Sequence, residues 1–574
     1  MLWGSVYALI AAAAFAVHQG LLYQVEFKEI NSLQFYENGN LFRLLLDAAG
    51  FVETAIMHIP FALGLGHWGA MVLFSLLWTL GVAACMWLMN RHGLRLSAVL
   101  VGLYLAVAPF FHRSLMEFLS HSYTPVFAAL FFVLIADVAI RREAGVLRMA
   151  VLGLLIGGMT ELYVSTVVLL PGAIVLWLWR RPRISASGWA ALVALMPLCW
   201  IPDFISAGGS LSIVLHRPGL LHMAGGGPWQ PISLREIVNT LGTQTCMAGV
   251  VLLVVNKLTK RSTLSPAAMT LFVFAVLQLA IPIAGYRFFS GTYVTLLYPA
   301  YAVPFALFPL VLTDTFTLIP FFRVNRKTAF VLACLPVCIA WLSCFWTTVP
   351  FTFQYYNRFR FQNTANLIDL SRHACELGLS SSAPSWQGKI TGPTLSVRMN
   401  TWDYLKKYYA QPCDHRRADH ILILFADDYV PQEGDRVREI DGLVFVGQEP
   451  LVEYRVKDRP EVTEVVGELL PGATYLGVTT NLSDWGDPDQ SASITLTVEG
   501  QPVPVDQQSD NRRLRQYESE FFIFRLPDPE LDRRFMLLLG NTMTTDTVYL
   551  TARRQPLRMY SSENIPAPHM PPPH

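Results

Sequence analysis

The sequence predicts an α-helical polytopic membrane domain with about eleven transmembrane helices, followed by a β-rich (α+β) extracytoplasmic domain. Three observations lead there. Of the 574 residues, 53% are hydrophobic and only 15% charged. The long apolar runs all lie before Val349. Beyond it come turn-rich segments with short strand-like runs. That composition excludes both a single soluble globule and a disordered chain. Lys and Arg total 43 against 42 Asp and Glu, so nucleic-acid binding has no electrostatic support and no nucleic-acid partner is expected.

Apolar windows place spans at Leu2–Tyr23, Trp68–Met89, Leu96–Phe111, Tyr123–Ile140, Met149–Thr160, Leu162–Trp179, Gly188–Pro202, Thr245–Val255, Pro266–Tyr286, Val294–Thr313 and Ala329–Val349. Met1 to Gly20 lacks the basic start of a signal peptide, so Leu2–Tyr23 reads as the first span. Arg141, Arg142 and Arg148 precede Glu161, and Arg180, Arg181 and Arg183 follow it. Basic residues at both ends favour two short helices that turn at Glu161 over one long tilted helix. With these groups inside, together with Arg91 and Arg95, Lys257 to Arg261 and Arg323 to Lys327, the amino terminus is cytoplasmic and the carboxyl domain lies outside. A bacterial inner membrane, with a periplasmic carboxyl domain, is compatible with this layout.

The outer connections are then Gln24–His67, His112–Ser122, Asp203–Gln244 and Arg287–Tyr293, and they are rich in ionisable groups. Glu26, Lys28, Glu29, Glu37 and His58 lie in the first, Arg113 and Glu117 in the second, and Arg217 in the third. Two readings stand. The charges are solvated loop residues, or carboxylates and arginines converge above the helices where a lipid phosphate would sit. A lone acid in an apolar hairpin, Glu161 needs water or a partner; its alternative is a solvated turn.

The domains divide as residues 1–350 for the membrane domain, 351–366 for an aromatic and basic interfacial linker, 367–556 for the β-rich domain and 557–574 for a Pro-rich flexible tail. Strand-like runs are Ile421–Phe425, Leu443–Val446, Ile494–Val498, Phe521–Leu526, Phe535–Leu539 and Thr547–Leu550, with a helix near Val397–Ala410. Six of the eight cysteines fall in spans as small core residues, while Cys375 and Cys413 lie in the outer domain as a candidate disulfide. Asp427-Asp428-Tyr429 after a strand reads first as a turn. No phosphate-binding glycine loop, HExxH or serine nucleophile elbow occurs, which removes support for an ATP-driven pump or a zinc protease. Cys334 and Cys338 have no nearby ligand to complete a metal site, and a divalent cation is left open as a cofactor.

A carboxylate just beyond the first span is placed to act as general base on an acceptor hydroxyl while a sugar is displaced from a phosphate. Glu29 is the first choice, with Glu26 and Glu37 as rivals. Arg113, Arg217 and Arg287 would supply positive charge to the leaving phosphate, or anchor helix ends instead. Glu117, Glu161 and His58 complete the candidate binding set.

Lys28-Glu29, Phe35-Tyr36-Glu37-Asn38-Gly39-Asn40, His58-Ile59-Pro60, the short hairpin Val151–Trp179 and the carboxyl-terminal outer domain together resemble the C-type integral-membrane glycosyltransferases, which include protein mannosyltransferases and the aminoarabinose transferase of lipid A. The resemblance implies a polyprenyl-phosphate sugar as donor and transfer on the outer face, with Glu29 aligned to the second acid of the usual Asp-Glu pair. It departs at Lys28, where an aspartate would stand. The expected function is therefore sugar transfer to an envelope glycan, lipid or protein acceptor in the membrane lipid, with an envelope-assembly protein as a further partner. The alternatives are a lipid-linked polysaccharide polymerase or ligase, a transporter, and a non-catalytic envelope-assembly subunit.

Overall fold

The computed structural model describes residues 2–24, 51–111, 120–162, 164–206, 240–258, 264–284, 296–317, 325–357, 364–377, 390–391, 408–411, 420–425, 436–440, 443–448, 451–458, 462–481, 493–508, 519–527, 533–540 and 548–554. These form two compact units, one from residues up to 355 and one from 356 onward.

The first unit is helical: α1 (Leu2–Gln24), α2 (Phe51–Ala62), α3 (Gly66–Arg91), α4 (Arg95–Phe111), α5 (Ser120–Arg141), α6 (Val146–Leu162), α7 (Leu169–Arg180), α8 (Ala186–Leu195), α9 (Ile201–Ser206), α10 (Leu241–Leu258), α11 (Pro266–Ala284), α12 (Tyr298–Phe316) and α13 (Arg326–Asn357). Among the described residues, six of them are long and apolar enough to cross a membrane, and four shorter apolar helices stand beside them. The chain is thus a multi-pass membrane protein. Helices are what such apolar surroundings demand, because each backbone N–H and C=O must be satisfied within its own segment. The outward side of α13 shows the same solvent at work. Val331, Leu335, Ile339, Leu342 and Trp346 are all exposed and recur at helical spacing, an apolar stripe suited to lipid and costly in water.

Each expected window overlaps a helix, with three differences. The window at Leu162–Trp179 opens with a 3-10 turn, Val164–Val168, before α7. The window at Gly188–Pro202 is broken into α8, a 3-10 turn over Met196–Trp200, and α9. Pro197 and Pro202 lack the N–H an α-helix needs there. The last window extends: α13 runs on to Asn357, into the expected linker, since Phe351–Asn357 contains neither glycine nor proline to interrupt the ladder. A further helix, α2, occupies part of the expected first outer connection.

The helices alternate in direction. At one end, the Tyr7 hydroxyl donates to the Asn90 side chain at 3.1 Å, joining the start of α1 to the end of α3. The two-residue strands β1 (Glu143–Ala144) and β2 (Arg183–Ile184) pair in parallel there, so the entry to α6 lies beside the exit from α7. Helices α6 and α7 therefore form the expected hairpin, with Glu161 near its far tip. Tyr298, at the start of α12, reaches the Ala108 carbonyl near the end of α4. That contact puts the end of α12, with Asp314 3.7 Å from Arg326, at the arginine-bearing end.

Close backbone approach seats the hairpin. A Cβ at Gly153 would meet the Leu192 carbonyl oxygen at 2.6 Å, and one at Gly157 would meet that of Met196. Glycine at this four-residue interval lets α8 and the following 3-10 turn lie directly on α6. Glu161 is the next residue on that repeat.

Among its described residues the second unit holds α14 (Thr364–Arg372), helical residues at 408–409, and the strands β3 (Ile390–Thr391), β4 (His420–Phe425), β5 (Arg436–Ile440), β6 (Leu443–Gln448), β7 (Val452–Asp458), β8 (Val462–Leu469), β9 (Tyr475–Asn481), β10 (Ser493–Val498), β11 (Gln501–Val503), β12 (Val505–Gln508), β13 (Ser519–Arg525), β14 (Arg533–Gly540) and β15 (Tyr549–Arg553). One sheet has the order β11-β10-β14-β8-β7 and a second β12-β13-β9-β15, both antiparallel. Leu496, Leu537 and Val465 from the first share one core with Val478, Phe522 and Leu550 from the second, which makes a β-sandwich. Strand β14 shows the governing pattern, burying Phe535, Leu537 and Leu539 in alternation. A third sheet, β3-β4-β6-β5, carries the one described parallel pair of this unit, β3 with β4. Glu499 (φ 49°) and Gly500 (φ 76°) form the two-residue turn between β10 and β11, where both positions must be left-handed.

Replacing Gly157 with Val is expected to force the 3-10 turn after α8 away from α6 and destabilise the first unit by about 1–3 kcal/mol. A thermal melt of the full-length protein in lipid checks this; an unchanged midpoint would mean that the close approach is not required.

Candidate functional site

The far tip of the α6–α7 hairpin holds a carboxylate that the protein has sealed off. Glu161 is 1% exposed, and its Oε2 accepts a hydrogen bond from the Val52 backbone N–H at 3.2 Å. Val52 is the second residue of α2, where backbone N–H groups lack partners within the helix and the helix dipole favours negative charge. Glu161 thus caps α2 from a different helix, and the solvated-turn reading is replaced by a tertiary contact. Next to it, the Thr160 hydroxyl donates to the Ile156 carbonyl at 2.7 Å and accepts from the Trp200 indole at 3.3 Å. The tip is therefore held by α2 on one side and by the 3-10 turn after α8 on the other.

A second polar group sits in the half of the bundle away from the arginines. Ser75 of α3 donates to the Gln19 side-chain oxygen at 2.8 Å and lies 2.9 Å from His18 Nδ1, both on α1. Because the single hydroxyl proton of Ser75 goes to Gln19, His18 Nδ1 carries the proton and donates. Phe74 meets the His18 ring edge-on, with centroids 4.8 Å apart, and Trp78 stacks on it at 6.1 Å. The histidine is fully buried and its ring is fixed on three sides.

At the opposite end Asp137 of α5 is a charge hub. Its carboxylate lies 3.1 Å from His92, 3.1 Å from Arg141, 3.5 Å from Arg91 and 3.8 Å from Arg148, with the aspartate side chain 2% exposed. It ties the ends of α3 and α5 to the start of α6, which is the base of the hairpin that carries Glu161. Asp137 is not among the site residues expected from the sequence, although a lone acid four residues before Arg141 in an apolar span is a usable signal.

Of the candidate catalytic and binding residues, the structure describes two. Glu161 is the buried cap, and His58 lies half-buried on α2, the helix that Glu161 caps. Glu26, Glu29, Glu37, Arg113, Glu117, Arg217 and Arg287 lie outside the described residues, as does Asp427-Asp428-Tyr429, and of Val397–Ala410 only the final part is described. Among the described residues no group of three or more His, Cys, Asp or Glu side chains is arranged to hold a metal ion. Cys375 is disulfide-bonded, whereas Cys85, Cys199, Cys246, Cys334, Cys338 and Cys344 are free. Cys413 lies outside the described residues.

No protein-family model matches the chain, and no curated protein matches it. Among solved structures, it is similar to the crystal structure of ArnT from Cupriavidus metallidurans in the apo state, with a TM-score of 0.41 and 13% identity over 76% of this chain and 97% of that one. It is also similar to the structure of ArnT from the same organism bound to undecaprenyl phosphate, with a TM-score of 0.41 and 15% identity over the same shares.

Removal of the hub carboxylate in Asp137→Ala would leave mutually repelling cations at the base of the hairpin. Since the three arginines are a quarter to a third exposed, the expected loss is about 2–3 kcal/mol, below the range for a fully buried pair. A melting midpoint equal to wild type would show that water already screens the cluster.

Proposed function

We propose that the chain is a membrane glycosyltransferase of the C-type group, moving a sugar from a polyprenyl-phosphate donor to an envelope glycan, lipid or protein acceptor on the outer face of a bacterial inner membrane. The observation that carries this reading is the Glu161 cap. It fixes the start of α2, and hence the exit of the acid-bearing first connection, against an intramembrane hairpin at the end of the bundle remote from the arginines. With the cationic ends on the cytoplasmic side, the positive-inside rule assigns the sequence connection between α1 and α2, which carries Glu26, Glu29 and Glu37, to the outer face.

In the proposed reaction Glu29 takes the proton of the acceptor hydroxyl as its oxygen bonds to the anomeric carbon. The bond from that carbon to the phosphate oxygen breaks, and the lipid phosphate leaves with the electron pair. That leaving group is stable as an anion at neutral pH, so it needs cationic neighbours rather than a proton, the role given to Arg113, Arg217 and Arg287. Glu161 acts as a positioning residue, because its carboxylate is occupied with the α2 backbone. His58 rides on the helix it positions.

Transfer of radiolabelled sugar by the purified full-length protein in lipid tests the reading. Glu29→Gln should lower kcat by about 100-fold or more with an unchanged melting midpoint. Activity that survives in Glu29→Gln, Glu26→Gln and Glu37→Gln alike would overturn the proposed base. For Glu161, a Gln retains an acceptor for the Val52 N–H and should keep most activity, whereas Ala should lose it; equal loss in both would point to a need for the charge itself.

A further inference from the structure

The base of the α6–α7 hairpin forms an open cavity of about 1040 Å³, whose lining includes Arg141, Arg148, Arg183, Glu143, Leu147 and Ile184. Its chemistry is lopsided. Three guanidinium groups face one exposed carboxylate, and the nearby buried acid, Asp137, is shared among Arg91, His92, Arg141 and Arg148. One carboxylate cannot neutralise that set, so positive charge remains at the cavity. Arg142 and Arg181 are exposed beside it and adopt left-handed backbone conformations, with φ of 59° and 49°. Arg183 N–H donates to the Arg142 carbonyl at 2.8 Å, holding these two basic turns together.

Apolar side chains in the cavity lining and on the helix that leads into it have no protein over them. Leu147 of the lining is 77% exposed. On the last turn of α7, just before the Pro182–Ser185 part of the lining, Leu178 is 69% exposed, and Trp179 is exposed with the Arg180 guanidinium over its ring at 5.4 Å. Cationic groups above an exposed apolar helix surface match a molecule with an anionic head and hydrocarbon tails. A soluble anion would use only half of that surface, and a neutral lipid the other half. We propose that this cavity is a binding site for an anionic phospholipid, with Arg148 and Arg183 on its phosphate and its acyl chains along Leu147 and Leu178. Guanidinium suits the role because its planar fork donates two hydrogen bonds to one phosphate. The site belongs to the arginine-bearing end of the bundle, opposite Glu161, and does not depend on the sugar-transfer reading.

Native mass spectrometry of the full-length protein in neutral detergent tests it, with phosphatidylglycerol, phosphatidylcholine or inorganic phosphate added in turn. Wild type should retain phosphatidylglycerol at least about fivefold more than phosphatidylcholine, with no displacement by millimolar phosphate. Arg148→Gln combined with Arg183→Gln should remove that preference, while Arg455→Gln, an exposed arginine of the second unit, should keep it. The single variant Arg183→Gln, on an exposed side chain, gives the same readout should the double variant not fold. Equal retention of the two lipids by wild type, an undiminished preference in Arg183→Gln and a folded double variant, or full displacement by phosphate would each overturn the proposal.

Discussion

Charge within the helical unit is tolerated where it is paired, and the arrangement of the bundle depends on the pairing at Asp137. A carboxylate at this depth would be costly alone, because apolar surroundings replace neither its hydration nor its counter-ions. Arg91, His92, Arg141 and Arg148 supply both from three helices and the turn after α3. Their convergence sets which helix ends share a side. Once α3, α5 and α6 are joined there, the parallel pairing of β1 with β2 returns α7 to the same end, and the hairpin tip has to project to the other.

That geometry gives the two acids of the hairpin region different work. At the base Asp137 gathers cations and leaves a surplus, which makes the cavity beside it a site for an anion carrying apolar tails. At the tip Glu161 meets the N–H end of α2, where partial positive charge comes from the backbone. Gly153 and Gly157 bring the two roles into register, since their missing side chains let α6 slide against α8 until Thr160 reaches Trp200.

The second unit follows a different rule. Strands that carry a continuous apolar run or a clear alternation are legible in the sequence: β4, β6, β10, β13, β14 and β15 each lie within a few residues of an expected run. The strands outside the expected runs, β3, β5, β7, β8, β9, β11 and β12, include short ones and ones that carry charge on the outward face. In Val452–Asp458, Glu453, Arg455 and Lys457 are exposed, so the segment reads as polar until its pairing with β8 shows which face is covered. Inclusion in a sheet is decided by the partner strand as well as by the strand's own residues.

By itself the sequence determined the division into an apolar helical part and a β-rich part, the approximate positions of the long apolar helices though not of α2 or α14, and the turn near Glu161. These follow from local hydrophobicity and from basic residues at segment ends, both of which are properties of neighbours in the chain. Tertiary structure alone decided that Glu161 caps α2, that Asp137 collects three arginines and a histidine, and that two sheets share one core. The physical reason is distance along the chain. Val52 and Glu161 are 109 residues apart, and His92 and Asp137 are 45 apart, so no periodicity could announce either meeting before the helices were packed.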